Sequence, residues 1–225
     1  MKTTLLAIFI LGFWCQANSQ MNRFTVSLEY SPNFSSITNP YSHQYTGPDG
    51  VLSFRQDGGF RITNNLFLKG GYKLTDNLYA TGAVGIMGTR EYVTSDYNGA
   101  LGIEGVESNR FHSYVVAPVG LTYYMGSFFI SPEIGIGWNV GSRGKNHWYY
   151  TDGSQIENEY DDEHDIHHIN KTTYPLFLSF GNEIRMKSYA IVFGAKAYYD
   201  LNTLSEREFE TGHSYGFGLL AGIRF

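Results

Sequence analysis

The final eleven residues, Tyr215-Gly-Phe-Gly-Leu-Leu-Ala-Gly-Ile-Arg-Phe225, alternate and stop on an aromatic residue. Side chains of a strand point to opposite faces with period two. Tyr215, Phe217, Leu219, Ala221, Ile223 and Phe225 therefore share one face, and Gly216, Gly218, Gly222 and Arg224 the other. One face is apolar, the other small or charged. A terminal strand of this kind suits a wall between lipid and a polar interior, and it points to a transmembrane β-barrel.

The start of the chain has the form of an export signal. Met1-Lys2 supplies a positive end, Leu5 to Trp14 an apolar run, and Ala17-Asn18-Ser19 a small-residue cleavage pattern. Residues 1–19 are expected to be removed, leaving a single domain over 20–225. Cys15 is the only cysteine and lies inside this signal, preceded by the bulky Phe13-Trp14, which argues against lipidation. The mature chain then has no thiol, which excludes disulfides, cysteine-ligated zinc and a cysteine nucleophile. No later segment approaches the roughly 18 consecutive apolar residues of a membrane helix. Mean hydropathy is slightly negative. A barrel has such an average because only alternate residues meet lipid. The net charge of -5, with no basic cluster, leaves nucleic acid without a binding stripe.

With 18 Tyr, 16 Phe and 26 Gly the chain favours strands and turns over helices. Alternation predicts eight strands: Phe24–Tyr30, Phe60–Leu74, Leu78–Tyr92, Arg110–Met125, Phe128–Val140, Thr172–Met186, Tyr189–Leu201 and the terminal strand. The facing of Leu78–Tyr92 is ambiguous because it is rich in Gly and Ala. Three short turns (Thr75-Asp76-Asn77, Gly126-Ser127, Lys187-Ser188) alternate with four long polar loops to about Gly59 and over 93–109, 141–171 and 202–213. The fold class expected is all-β: an antiparallel up-and-down transmembrane β-barrel with short periplasmic turns and long extracellular loops, in the bacterial outer membrane. Tyr72, Tyr79, Tyr123, Tyr124, Phe128, Phe129, Tyr189 and Phe225 are expected in the periplasmic aromatic girdle. Phe111, Trp138, Tyr174, Tyr199 and Tyr215 are expected in the outer one. Pro118, Pro132 and Pro175 fall inside strands, where proline removes a ladder donor, so bulges or early strand ends are expected there. A soluble β-sandwich is the alternative fold.

The run Gly71-Tyr-Lys-Leu-Thr-Asp-Asn-Leu-Tyr79, the segment Ala117-Pro-Val-Gly-Leu-Thr-Tyr-Tyr124 and the terminal Ala221-Gly-Ile-Arg-Phe225 resemble the small outer-membrane β-barrel domain family of OmpA/OmpX-type barrels common in Bacteroidetes-type bacteria. The resemblance spans essentially the whole mature chain. Its motifs are strand and turn patterns, so it implies fold and location rather than activity. It also implies that the terminal strand, through Phe225, is the assembly signal read by the barrel-assembly machinery. With nothing after Phe225, the peptidoglycan-anchoring role of larger OmpA-like proteins is not implied.

Alternation sends Glu29, Arg61, Lys69, Lys73, Glu133, Glu183, Arg185, Lys196 and Arg224 into a lumen too narrow for a wide channel. Enclosed charges must pair. Two readings follow: a structural salt-bridge plug, or a narrow pore lined by these groups. In the 141–171 loop, Arg143, Lys145 and Lys171 are outnumbered by Asp152, Glu157, Glu159, Asp161, Asp162, Glu163 and Asp165. His164, Asp165, His167 and His168 are the candidate metal ligands, although their spacing matches no zinc signature, and a solvated acidic loop is the plainer reading. No cofactor is expected.

His112, His213 and Ser214 lie near expected strand ends, but no G-x-S-x-G motif surrounds them, so no enzyme is expected. Three function classes remain open. The first is a structural or surface-interaction barrel, with outer-membrane lipid around it and an unidentified extracellular partner at 141–171. The second is a narrow pore for small solutes, and the third a rim enzyme acting on lipid.

Overall fold

A computed structural model describes residues 23–38, 42–47, 50–57, 59–99, 102–161, 170–203 and 212–225. Among the described residues twelve strands run in chain order: β1 Phe24–Ile37, β2 Ser42–Gly47, β3 Gly50–Asp57, β4 Arg61–Lys73, β5 Leu78–Gly99, β6 Ile103–Met125, β7 Phe128–Tyr150, β8 Gln155–Asp161, β9 Thr172–Thr173, β10 Pro175–Arg185, β11 Ala190–Thr203 and β12 His213–Arg224. Eight of them close a ring in the order β1-β4-β5-β6-β7-β10-β11-β12, every neighbour antiparallel, with β12 returning to β1. At the seam, the Phe225 amide donates to the Val26 carbonyl at 2.7 Å and the Val26 amide to the Phe225 carbonyl at 3.1 Å. Closure removes the edges that an open sheet would leave unpaired.

Alternation within the ring follows the sequence pattern. On β4, Ile62, Leu66, Leu68 and Tyr72 are exposed while Thr63, Asn65, Phe67 and Lys69 are buried. On β5, whose facing the sequence leaves ambiguous, Val84 and Ile86 face outward at 51% exposure each, and Thr81, Met87, Thr89 and Glu91 face inward. The outward band is apolar all the way round, from Leu219 and Phe217 on β12 to Ile134, Ile136 and Trp138 on β7. A closed barrel gains nothing by turning that area to water, since burial of apolar surface drives folding. Against lipid the same band is the favourable face.

Three short connections sit at the positions expected. The β4–β5 turn is held by the Leu78 amide on Thr75 Oγ1 at 3.1 Å. Gly126 in the β6–β7 turn adopts φ +68°, a left-handed conformation that glycine reaches without strain. The Met186 amide closes the β10–β11 turn on the Tyr189 carbonyl at 2.8 Å.

The long loops differ from expectation. The segment up to Gly59 contains the β2–β3 hairpin, whose second strand, β3, pairs with the far half of β5. The 93–109 loop is mostly strand, because β5 and β6 stay paired from Tyr92↔Asn109 out to Asp96↔Gly105. The 141–171 loop begins as strand too: β7 runs to Tyr150 and turns back as β8. Together β2-β3-β5-β6-β7-β8 make a six-stranded sheet continuing upward from one side of the ring.

Two prolines also behave differently. Pro175 opens β10, an early strand boundary of the kind expected, but Pro118 and Pro132 lie in continuous strands without a bulge. Pro118 keeps its register with Gly135 on β7, and on its other side the β5–β6 ladder leaves out two pairs, one skipped step opposite each of Ala117 and Pro118, between Gly82↔Val119 and Gly85↔Val116. The ring without an N–H sits at one of those skipped steps, so the register is preserved.

Candidate functional site, the charged lumen and the raised sheet

Hydroxyl and charged side chains at inward positions converge midway along the ring. Glu29 on β1, Lys69 on β4, Glu133 on β7 and Lys196 on β11 are all buried. Lys69 Nζ lies 2.5 Å from Glu133 Oε1 and 3.8 Å from Glu29 Oε1, while Lys196 Nζ lies 3.8 Å from Glu29 and 4.0 Å from Glu133. Two cations therefore alternate with two carboxylates across the lumen. Ser131 ties them together, accepting from Lys69 at 3.0 Å and donating to Glu133 at 3.3 Å, with Thr122 at 2.7 Å. The sequence reading misses Ser131, Thr122 and Thr81, although small hydroxyl residues at inward positions between charges are the available signal. Lys196 also lies 4.2 Å above the Phe67 ring and 4.9 Å above Phe177, whose π faces attract a cation.

A second cluster lies near the short-turn end. Glu183 accepts from Arg185 at 2.9 Å and from Arg224, which also donates to the Tyr124 hydroxyl. Two of the nine lumen candidates lie apart from both clusters. Lys73 is at the turn rim, paired with Asp76 at 2.8 Å, and Arg61 at the opposite mouth donates to the Phe60 carbonyl at 3.1 Å and lies 5.0 Å from the Tyr92 ring. Near each strand end the inward direction opens onto solvent.

Apolar plugs sit above and below the first cluster. Phe67, Met87, Tyr114, Val116, Phe177 and Tyr198 fill one level, and Tyr124, Phe129, Val192 and Leu220 the other. This corrects the periplasmic girdle. Tyr124 and Phe129 face the lumen and Tyr79 packs on them, because in Tyr123-Tyr124 and Phe128-Phe129 period two sends one ring of each pair inward. Tyr72, Tyr123, Tyr189 and Phe225 do face out. The cavity between Glu29, Lys69 and Arg224 has a volume of about 30 Å³, room for one or two water molecules.

Near the other mouth, His112 Nδ1 lies 2.8 Å from Ser142 Oγ and its Nε2 lies 3.6 Å from Glu91. Serine, histidine and carboxylate stand in the order a hydrolase uses. Burial argues against that use: His112 is 0%, Glu91 2% and Ser142 6% exposed. His213 stacks on Tyr199 while Ser214 bonds Tyr198 from the other face, so these two do not face each other. His164, Asp165, His167 and His168 lie outside the described residues.

Above the ring, Lys145 on β7 bonds Glu157 at 2.9 Å and pairs with Glu159, both on β8. The hydrogen bond from Lys145 holds the Glu157 carboxyl below its usual range, and the two carboxylates hold the Lys145 ammonium above its own. A depressed carboxyl contributes above its unfolded pKa, and that contribution is lost as pH falls through the folded value. In a Trp138→Phe background, Trp148 emission is expected to change as pH falls below the ordinary glutamate range, where Glu157 protonates. Lys145→Ala should move that transition upward; an unmoved midpoint would remove the pair from the account.

A closed ring with a sealed polar lumen and an apolar exterior is decisive for the architecture. The fold is that of a small outer-membrane β-barrel. No family model matches the chain, and no curated protein does. Among solved structures it is similar to the attachment invasion locus protein Ail of Yersinia pestis in complex with the heparin analogue sucrose octasulfate (12% identity, TM-score 0.40, covering 90% of this chain and 99% of that one). It is also similar to the outer membrane protease OmpT of Escherichia coli (9%, 0.42, 91% and 96%) and to Neisserial surface protein A (13%, 0.35, 89% and 95%). At such values the assignment rests on this barrel's own closure and facing.

Proposed function

We propose that this chain is a bacterial outer-membrane barrel with a structural and surface-interaction role, in which the ring is the anchor and the raised sheet the working surface. The observation that carries the reading is the continuation of β5, β6 and β7 to 22 or 23 residues each, about twice the 9–11 needed to cross a membrane. Strand beyond the lipid has no anchoring use, and here it is ordered by a ladder of its own. His147, Trp148, Tyr149 and Tyr150 at its top combine ring area with hydrogen-bonding groups, the composition of an adaptable contact surface.

A narrow pore is the second reading, favoured by the small lumen cavity, which Glu29, Lys69 and Arg224 line. Planar-bilayer recording separates the two. The display reading expects no discrete conductance from the intact protein, and none after removal of residues 151–161. Reproducible single-channel steps that disappear when Lys69 and Glu133 are exchanged would overturn it in favour of the pore. A hydrolytic role is not part of the reading, since the Ser142-His112-Glu91 chain is enclosed.

A further inference from the structure

The outer wall carries an arginine-lined recess just above the lipid-facing band. Going up β5, outward positions read Val84, Ile86, Gly88, Arg90; on β7 the band ends at Trp138 and Val140, and Arg143 follows. Register places Arg90 beside Phe111 and Phe111 beside Arg143, with Asn109 beside Lys145 one step higher. These residues, with Glu159, line a cavity of about 340 Å³. That volume is enough for a compact polar headgroup.

The cations are held in place. Arg90 Nε donates to Asn109 Oδ1 at 2.9 Å, which fixes the guanidinium and directs its terminal nitrogens elsewhere. Arg143 lies 5.2 Å from the Phe111 ring. Lys145 stands against Glu157 and Glu159 and the register puts Asp161 beside Arg143, so what the recess offers a ligand is its two guanidinium forks and not a surplus of positive charge. Guanidinium forks match the oxygens of phosphate in pairs.

Height selects the source of that phosphate. From Ile86 to Arg90 is four residues, about 13 Å along the strand and about 10 Å in height at the usual barrel tilt. Headgroups occupy roughly the first 5–8 Å beyond the hydrocarbon, within reach of an arginine side chain. We propose that Arg90 and Arg143 bind the phosphate of a lipid in the leaflet on the raised-sheet side, with Phe111 packed between them. The proposal rests on the membrane reading above, and it makes the barrel a holder of specific phospholipid on one side of its circumference.

The test uses the full-length mature protein in neutral detergent doped with phosphatidic acid or with the matching diacylglycerol, and reads lipid retained by native mass spectrometry. Phosphatidic acid should be retained and diacylglycerol not, and Arg90→Gln with Arg143→Gln should reduce retention by about tenfold or more. The boiled and unboiled gel bands are compared in parallel, so loss of the barrel is distinguished from loss of the site. Should the double variant fail to fold, Arg90→Lys with Arg143→Lys keeps charge without the fork and should still retain less lipid. Equal retention of both lipids, or of phosphatidic acid by a folded variant, overturns the proposal. Full displacement by millimolar inorganic phosphate would also overturn it, making the recess a free-anion site.

Discussion

Glu133→Ala is expected to lower the unfolding free energy of the barrel by about 3–5 kcal/mol, the usual loss when one member of a buried ion pair is removed. In the intact lumen Glu29 and Glu133 match Lys69 and Lys196 in charge. Alanine at 133 leaves two buried cations facing one carboxylate. The remaining contacts are 3.8 Å, beyond hydrogen-bonding distance, so Glu29 is placed to compensate only by movement. Urea titration of protein refolded in vesicles, followed by the heat-modifiable band, measures the loss. Lys69→Met combined with Glu133→Leu should cost clearly less, because it removes a cation and a carboxylate together and fills the space with apolar atoms. If Glu133→Ala stayed within about 0.5 kcal/mol of the parent, the lumen charges would be solvated and the plug reading would fail.

The second large effect lies in the backbone. Gly181 on β10 and Gly194 on β11 face each other in register on the inner wall. A Cβ at Gly181 would fall 2.1 Å from the Phe193 carbonyl oxygen and 2.7 Å from Gly194 Cα, and a Cβ at Gly194 2.1 Å from the Phe180 carbonyl oxygen. Both obstacles are main chain, which no rotamer change can move. Gly181→Ala is expected to cost about 3 kcal/mol or more, the upper range for overpacking. Gly181→Val together with Gly194→Val should abolish the fast-migrating unboiled band. Gly70→Ala is the internal control, since its new Cβ meets nothing closer than 3.8 Å. If Gly181→Ala and Gly70→Ala were equally benign, the close approach of β10 and β11 would be wrong.

The ring is legible because each of its strands separates an apolar face from a polar one, and lipid on one side with a narrow lumen on the other imposes period two on the residues themselves. Placing both members of Tyr123-Tyr124 and of Phe128-Phe129 in the girdle goes wrong because it sets that period aside for the sake of aromatic composition. Facing alone assigns charges to the lumen and says nothing of height. Arg61 and Lys73 share the inward face with Lys69 and yet end at the two mouths. The raised sheet is not legible as strand because its segments carry no continuous apolar stripe in the sequence. Ser42-His-Gln-Tyr-Thr-Gly47 has no apolar side, and the acidity of the segment masks the alternation of Ile156, Asn158 and Tyr160 with Glu157, Glu159 and Asp161. Its strands are specified by the register of the ring strands beneath them.

The tip of the tallest hairpin has a practical consequence. Gly153 adopts φ +81°, a Cβ there would meet nothing within 4 Å, and Asp152 and Ser154 close the turn between themselves. Counted from Trp138, this turn is about 40 Å further along β7. A foreign peptide spliced between Asp152 and Gly153 would ride at the end of a stiff mast, clear of the cell's lipid, which makes the chain a scaffold for surface display.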